Sequence, residues 1–548
     1  MTGLSHVFDV LVRGGTVYDG SGGEPRTADI GIAGDRIASM GDLSDARAGE
    51  VIDATGLAVA PGFVNMLSHS YLTMLHDGRS LGELKQGVTL QVFGEGNSMG
   101  PLSDSGKSWV SRLDPGLEYS VEWETLAGYL SYCERNGVSQ NVASYIGATT
   151  LRALAAGYEN RPLTTDELAN LRSIIRDEMT AGALGIGSSL IYPPAFFAST
   201  EELIELCRAT APYGGKYISH MRSESEGLID VGLAELIRIA REAEVPAEVY
   251  HLKAAGSAAW PLMQTAIDTI EAARAEGLAI TADMYTYTAG ATGLSNCIPP
   301  WFHEGGQERL IERIADTATR AEIRAAIEGD SDDWENLYRR GGTPENILIL
   351  QVREERNRIY QGKTLAEIAA MRETDPIDAL MDLVADDRSR ITTAYFMMDE
   401  ANVELGLRQP WVSLGSDSPS TATEGVFLTR STHPRAYGNF ARFLGHYVRD
   451  RKLVPLAEAV RRLSALPCEN LGIANRGYLR EGYFADVVVF DPATIQDHAT
   501  YADPHQYATG VRDVIVNGVP NLREGEHTGR FSGKAVWGRG SGKRVTRR

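Results

Sequence analysis

The sequence predicts an α/β fold in which a (β/α)8 barrel stands beside a small β-sandwich domain built from both ends of the chain. Three observations lead there. Through the middle of the chain, short apolar runs alternate with helix-patterned segments, as parallel strands joined by crossover helices require. Eight such runs can be counted, which suits a closed barrel, although an open doubly wound sheet fits the periodicity as well. The two ends share a different texture, alternating apolar residues punctuated by Gly and Asp turns, and so read as parts of one β domain.

In chain order, residues 1–60 form the first part of the small domain, with strands expected at Val10–Val17, Ile30–Ile37 and Val51–Ala58. Residues 61–470 form the barrel. Its apolar runs are VAPGFVN (59–65), VTLQVFG (88–94), NVASYIG (141–147), ALGIGSS (183–189), KYISH (216–220), AEVYH (247–251), AITADM (279–284) and WVSLGS (411–416). Segments such as Thr165–Thr180 and Leu233–Ala243 carry apolar residues at three- and four-residue spacing, as amphipathic helices do. The gap between the seventh and eighth runs is too long for a plain βα connection, so an inserted subdomain is expected at about 291–345, rich in helix formers from Glu308 to Ile327. Residues 471–548 return to strands at Ala485–Phe490 and Val511–Val519, and end in GRGSGKRVTRR, a Gly-rich basic tail expected to fray.

Composition narrows the function. At 548 residues, 43% hydrophobic and 23% charged, the chain is too apolar for intrinsic disorder. Its 53 basic and 73 acidic residues leave a net charge of −20. That balance argues against binding nucleic acid or an anionic membrane, both of which need clustered Lys and Arg. The cysteines Cys133, Cys207, Cys297 and Cys468 are too scattered for a disulfide framework or a CxxC zinc knuckle, which points to a reducing, cytoplasmic setting. MTGLSHVFDV has no basic stretch leading into an apolar one, and no run approaches the roughly 20 apolar residues of a membrane span. A homo-oligomer is compatible with all of this.

In a parallel barrel, chemistry collects at the C-terminal ends of the strands. Glu95 follows the second run, His220 ends the fifth, His251 ends the sixth, Asp417 follows the eighth, and His69 lies just past the first. Two imidazoles and a carboxylate make a zinc set with a position left for water, and Asp417 then serves as the proton-transfer group. Each residue also has an ordinary reading. A histidine at a strand end is commonly a hydrogen-bonded structural residue, Glu95 in GEGNSMG could cap the next helix, and S-D-S-P around Asp417 is a good helix start.

At this point the chain resembles the amidohydrolase superfamily, and within it the D-aminoacylase (N-acyl-D-amino-acid deacylase) family. The motifs run nearly end to end: FDVLVRGGTVYDGSG, DATGLAVAPGF, QGVTLQVFGEG, SSLIYPPAFFA, YISHMRSE, YHLKAAG, TADMYTYTAG, LGSDS, HPRAYGNFARFLGHYVR and GYFADVVVFDP. The resemblance implies a barrel beside a β domain from both termini, with an insertion late in the barrel. It also implies one zinc per chain, held by Glu95, His220 and His251, with Asp417 as the catalytic carboxylate.

The chain departs from the family at two places. Where relatives end the first strand with H-x-H, this chain reads NMLSHS, so Leu67 stands at the first histidine and only His69 remains. Where D-aminoacylases place a zinc-bound cysteine, Gly96 stands here and Glu95 precedes it. Glutamate's longer side chain and zinc's acceptance of carboxylate oxygen carry Glu95 over as the ligand. The family's carboxylate-binding positions correspond to Tyr192, Lys253, Tyr285 and Arg435, while a serine after T-A-G is replaced by Ala291. The expected function is zinc-dependent hydrolysis of an N-acyl-D-amino acid or a related carboxylate-bearing amide. The alternatives are a divergent amidohydrolase acting on a cyclic amide, dipeptide or secondary metabolite, and a metal-free binding protein on the same fold.

Overall fold

Eight parallel strands close into a barrel in the computed structural model, which describes residues 7–114, 116–331 and 333–542. The strands are Phe63–Asn65, Val88–Phe93, Asn141–Ser144 (continued by Ile146–Gly147), Gly185–Ser189, Lys216–His220, Ala247–Val249, Ile280–Met284 and Val412–Leu414. Neighbours pair in parallel in that order. The last strand meets the first through Met66 N to Leu414 O at 3.1 Å, Asp417 N to Leu67 O at 2.9 Å, and a parallel bridge between Ser68 and Ser418. Closure removes the open-sheet alternative.

Each apolar run contains one barrel strand, because strands buried on both faces read as continuous hydrophobic stretches. The first run is the exception in detail. Ala58–Pro61 belongs to the small domain and only Phe63–Asn65 to the barrel. Between them lies Gly62, where a Cβ would come within 2.1 Å of the Thr89 hydroxyl oxygen, so the chain crosses between domains where no side chain fits. The barrel interior is filled by Val64, Leu67, Leu90, Val92, Ala143, Ile218 and Tyr250. A larger core, including Val88, Ile186, Val249 and Ile280, lies between strands and helices. Helix Thr165–Ala181 shows how local sequence sets an element's limits: Thr164 and Glu167 form a reciprocal capping box, and Gly182 ends the helix at φ +114°.

The small domain is one branched sheet. Strand Val7–Val17 pairs on one edge with Arg26–Ala33, and on the other first with Arg47–Asp53 and then with Ala58–Pro61. Val487–Phe490, Val511–Val516 and Val519–Arg523 from the other terminus continue it. The branch encloses a core of Val10, Val12, Ile30, Ile32, Ile52, Val487 and Ile515. The stretch Ile30–Ile37, read from sequence as one strand, is the turn of a hairpin between Arg26–Ala33 and Arg36–Gly41, with Gly34 at φ +58°.

The insertion extends beyond 345. Ala289–Gly293, Ile347–Gln351 and Thr392–Phe396 form an antiparallel sheet, and helices Gln307–Ala315, Thr317–Glu328, Leu365–Met371 and Pro376–Asp387 pack with it on a separate core. The apolar run ILIL, which begins where the expected insertion stopped, is a strand of the insertion itself. The tail is likewise docked as far as it is described: Val536 N bonds Val142 O at 2.8 Å and Gly542 N bonds Thr180 O at 3.1 Å. Residues 543–548 lie outside the described residues. No helix among those described is long and apolar enough to cross a membrane.

Candidate metal centre and active site

Glu95, His220 and His251 present ligand atoms within 4.8 Å of one another, and so do His69, Glu95 and Asp417. Glu95 belongs to both groups. Its Oε1 lies 3.1 Å from His220 Nδ1 and 3.3 Å from His251 Nε2, while Oε2 lies 3.1 Å from His69 Nε2. His69 Nε2 also meets Asp417 Oδ1 at 3.0 Å. Three histidines from three other strand ends therefore converge on the Glu95 carboxylate, and Asp417 joins them through His69.

The backbone explains why Glu95 is at the centre. It stands between Gly94 at φ +111° and Gly96 at φ +65°. A Cβ on Gly94 would meet Tyr145 O at 2.5 Å, and one on Gly96 would meet Ser189 Oγ at 2.3 Å. A side chain at 96 would have to displace the Ser189 hydroxyl and hold a left-handed backbone, whereas Glu95 already presents its carboxylate to the histidines. Leu67, in turn, packs in the barrel core, so its place carries no donor. His251 and Asp417 both hold positive φ, +35° and +49°. Such strain outside glycine is uncommon and gathers at functional sites. The His251 amide is fixed by Asp283 Oδ1 at 2.9 Å.

Neither capping alternative describes these carboxylates. The helix after Glu95 begins at Asp104 with Ser103 as its cap. Asp417 faces His69 on one side and Arg435 Nη1, at 2.9 Å from Oδ2, on the other.

The electrostatics are those of a buried site rich in anions. Burial alone would raise the Glu95 carboxyl, but hydrogen bonds from His220, His251 and His69 hold it well below the usual carboxylate range. Asp417 is likewise held low against burial, by Arg435 and His69. Burial disfavours charge on His69, yet Asp417 and Glu95 raise it to about 9. Burial and Lys253 both oppose charge on His251, and Glu224 with Glu95 still raises it to about 10. The carboxylates draw cationic charge to the centre, which is where a divalent metal would supply it. The donor set of buried imidazoles and a carboxylate suits zinc.

The substrate-side residues divide. A cavity of about 270 Å³ is lined by His69, Glu95, His220, His251 and Asp417 together with Tyr192, Lys253, Tyr285 and Ala291. Arg435 does not line it. It is buried behind Tyr285, its guanidinium 4.5 Å from that ring, and is engaged by Asp417. Its Nε has no hydrogen-bond partner. Lys253 is also committed, with Nζ 2.7 Å from Glu224 Oε2.

Glu224 is the residue sequence reasoning missed. It faces His251 Nδ1 at 3.1 Å and His220 Nε2 at 3.4 Å, on the side of each ring away from Glu95. Carboxylates so placed orient metal-binding imidazoles. Its signal was present four residues after His220 in HMRSE. Arg390, from the insertion, also lines the cavity.

Beneath the site, Glu83 is fully buried and ties the first strand to the eighth: Oε1 accepts from Asn65 Nδ2 at 2.7 Å and from Ser416 Oγ at 3.2 Å. Burial raises its carboxyl to about 8, with the Asn65 and Ser416 bonds pulling the other way. A raised folded-state pKa gives a contribution that is full below the unfolded value and lost as pH rises through about 8. The melting temperature of the parent should therefore fall between about pH 5 and pH 8 more steeply than that of Glu83→Gln. Parallel melting profiles would return Glu83 to an ordinary pKa.

Residues 50–520 match the model of the amidohydrolase family, and the chain belongs to it, among enzymes that use bound metal to hydrolyse amide bonds. The chain is 36% identical over 534 residues to the D-aminoacylase of Alcaligenes xylosoxydans xylosoxydans, covering 97% of this chain and 98% of that one. A crystal structure of D-aminoacylase superposes with a TM-score of 0.79 at 34% identity, over 96% of this chain and 99% of that one. The N-acyl-D-glutamate deacylase of Bordetella bronchiseptica, solved with zinc and a phosphonate mimic of the tetrahedral intermediate, superposes at 0.80 and 28% identity, over 97% of this chain and 100% of that one.

Proposed function

We propose that this protein hydrolyses the amide bond of N-acyl-D-amino acids, with one zinc held by Glu95, His220 and His251. The observation that carries the reading is the convergence of those three donors beside Asp417, in a cavity that Tyr192, Lys253 and Tyr285 also line. A zinc there would acidify a water towards a pKa of about 7 and polarise the amide carbonyl. His69 with Asp417 is a poorer second position, because Leu67 withholds the other imidazole.

Asp417, kept ionised by Arg435 and His69, is the base that takes the proton of the attacking water. It then returns that proton to the departing nitrogen, since an amine anion is too poor a leaving group. His69, hydrogen-bonded to Asp417 Oδ1, and Arg435, against Oδ2, fix the direction in which the carboxylate presents its lone pairs. Glu224 holds the two imidazoles from behind and anchors Lys253. Lys253 and Tyr285 face the substrate's α-carboxylate, while Arg435 stays behind Tyr285 against Asp417. The phenols of Tyr192 and Tyr285 stay protonated, raised by burial above all, and so remain donors. Fixing the carboxylate at one point and the acyl carbonyl at another leaves one chirality at Cα in register.

The test is hydrolysis of paired N-acetyl-D- and N-acetyl-L-amino acids, with cyclic amides in the same panel. Turnover of the D series well above the L series is expected. Turnover confined to cyclic amides would move the reading to that branch of amidohydrolase chemistry.

A further inference from the structure

The cavity has two cationic side chains in its wall, Lys253 and Arg390, and only Lys253 has a carboxylate partner. Arg390 makes no ion pair among the described residues. Of the insertion's other arginines, Arg320, Arg324, Arg339, Arg372 and Arg388 each meet an Asp or Glu, while Arg313 and Arg356 donate to backbone carbonyls; Arg390 is set apart by lining the cavity. In a chain with 73 acidic residues, an arginine kept free of them while facing an active-site cavity needs an account.

The position of Arg390 is built. Gly293 packs against it, and a Cβ there would lie 3.0 Å from Arg390 Cβ and 3.2 Å from Nε. Leu294 N bonds Ile391 O at 2.8 Å and Ser295 N bonds Arg390 O at 3.3 Å, which fixes the segment to the other side of the insertion sheet. Ile391 is held at φ +55°, a costly conformation for a β-branched residue. The guanidinium lies 5.1 Å over the Tyr192 ring, and Tyr192 in turn stands 5.2 Å from the His220 ring. Arg390 is thus separated from the metal-binding imidazole by one aromatic side chain, whereas Lys253 approaches His251 directly, with Nζ 2.7 Å from Nδ1. The polar contacts of Arg390 are to neutral groups: its Nη2 donates to Thr292 Oγ1 at 3.4 Å and, with the Asn296 amide turned to satisfy both its ends, to Asn296 Oδ1 at 3.1 Å.

We infer that Arg390 binds a second carboxylate of the substrate, beyond the α-carboxylate, and selects dianionic N-acyl-D-amino acids over their monoanionic analogues. A planar guanidinium meets a carboxylate with two parallel hydrogen bonds. The second carboxylate has two chemical sources: an acidic amino-acid side chain or a dicarboxylic acyl group. This inference rests on the N-acyl-D-amino-acid reading above.

Two substrate pairs separate the sources. N-acetyl-D-glutamate against N-acetyl-D-glutamine varies the side chain, and N-succinyl-D-alanine against N-butyryl-D-alanine varies the acyl group. The quantity read is the ratio of kcat/KM within each pair, for the parent and for Arg390→Met, Arg390→Lys and Arg390→Glu. The parent should favour the dianion in one pair. Arg390→Met should shrink that preference about tenfold, through KM, as loss of a charged but partly solvated bond requires. Arg390→Lys should keep part of it, and Arg390→Glu should reverse it. Equal preference in the parent for both members of both pairs, or an Arg390→Met ratio matching the parent's, overturns the inference. Hydrolysis of N-acetyl-D-leucine in the same assay separates that result from failure of the underlying reading, which would show as no turnover of any N-acyl-D-amino acid.

Discussion

Asp417→Asn is expected to lower kcat by about 10²- to 10⁴-fold, the span that a positioned general acid–base group contributes. Asparagine keeps the size of the side chain and can still accept from His69 or Arg435 through its one oxygen. It cannot take a proton from water or hand one to a leaving amine. Because the carboxylate acts in the transition state and not in substrate binding, kcat and kcat/KM should fall together while KM changes little. Metal content and melting temperature separate this from misfolding: both should stay near the parent's. A variant that turns over within a few-fold of the parent would make Asp417 a structural partner of His69 and Arg435 and leave the proton transfer to another group.

Glu95→Ala should have an effect of comparable size by a different route. Removing the carboxylate deletes a donor facing both His220 and His251 and leaves three imidazoles, with His69, around a void. Loss of an outer-shell partner alone typically costs 10- to 100-fold in metal affinity, so loss of a direct ligand should exceed about a hundredfold. The purified variant should carry little zinc and show activity only at high added metal. Adding Gly96→Cys should not rescue it, because a Cβ at that position meets Ser189 Oγ at 2.3 Å and the backbone is held at φ +65°. Full zinc content in Glu95→Ala would reassign the ligand.

The parts legible in the sequence were those that a single strand writes down locally. Parallel barrel strands are buried on both faces, so all eight appear as apolar runs, and a polar residue at a run's end stands out, as Glu95, His220, His251 and Asp417 do. Relations between distant segments were not legible. Nothing local to HPRAYG shows that Arg435 sits behind Tyr285 against Asp417, or that Lys253 is taken up by Glu224; both follow from how strand ends face each other across the barrel mouth. The extent of the insertion was hidden because its strand ILIL has the same apolar texture as a barrel strand, and antiparallel partners 40 or so residues apart leave no local mark. Gly96 was read as a missing cysteine. The loop geometry shows what the sequence could not: Gly96 holds φ +65° with the Ser189 hydroxyl 2.3 Å from where a Cβ would stand, and Glu95 beside it faces the histidines.

The most direct test of the proposed ligand set is X-ray absorption at the zinc edge of the purified parent. Ligation by Glu95, His220 and His251 predicts a first shell of nitrogen and oxygen only, at about 2.0–2.2 Å, with imidazole scattering beyond it. All four cysteines are buried and free, and none belongs to either donor group. A sulfur scatterer at about 2.3 Å would contradict the assignment of Glu95 to the cysteine's role.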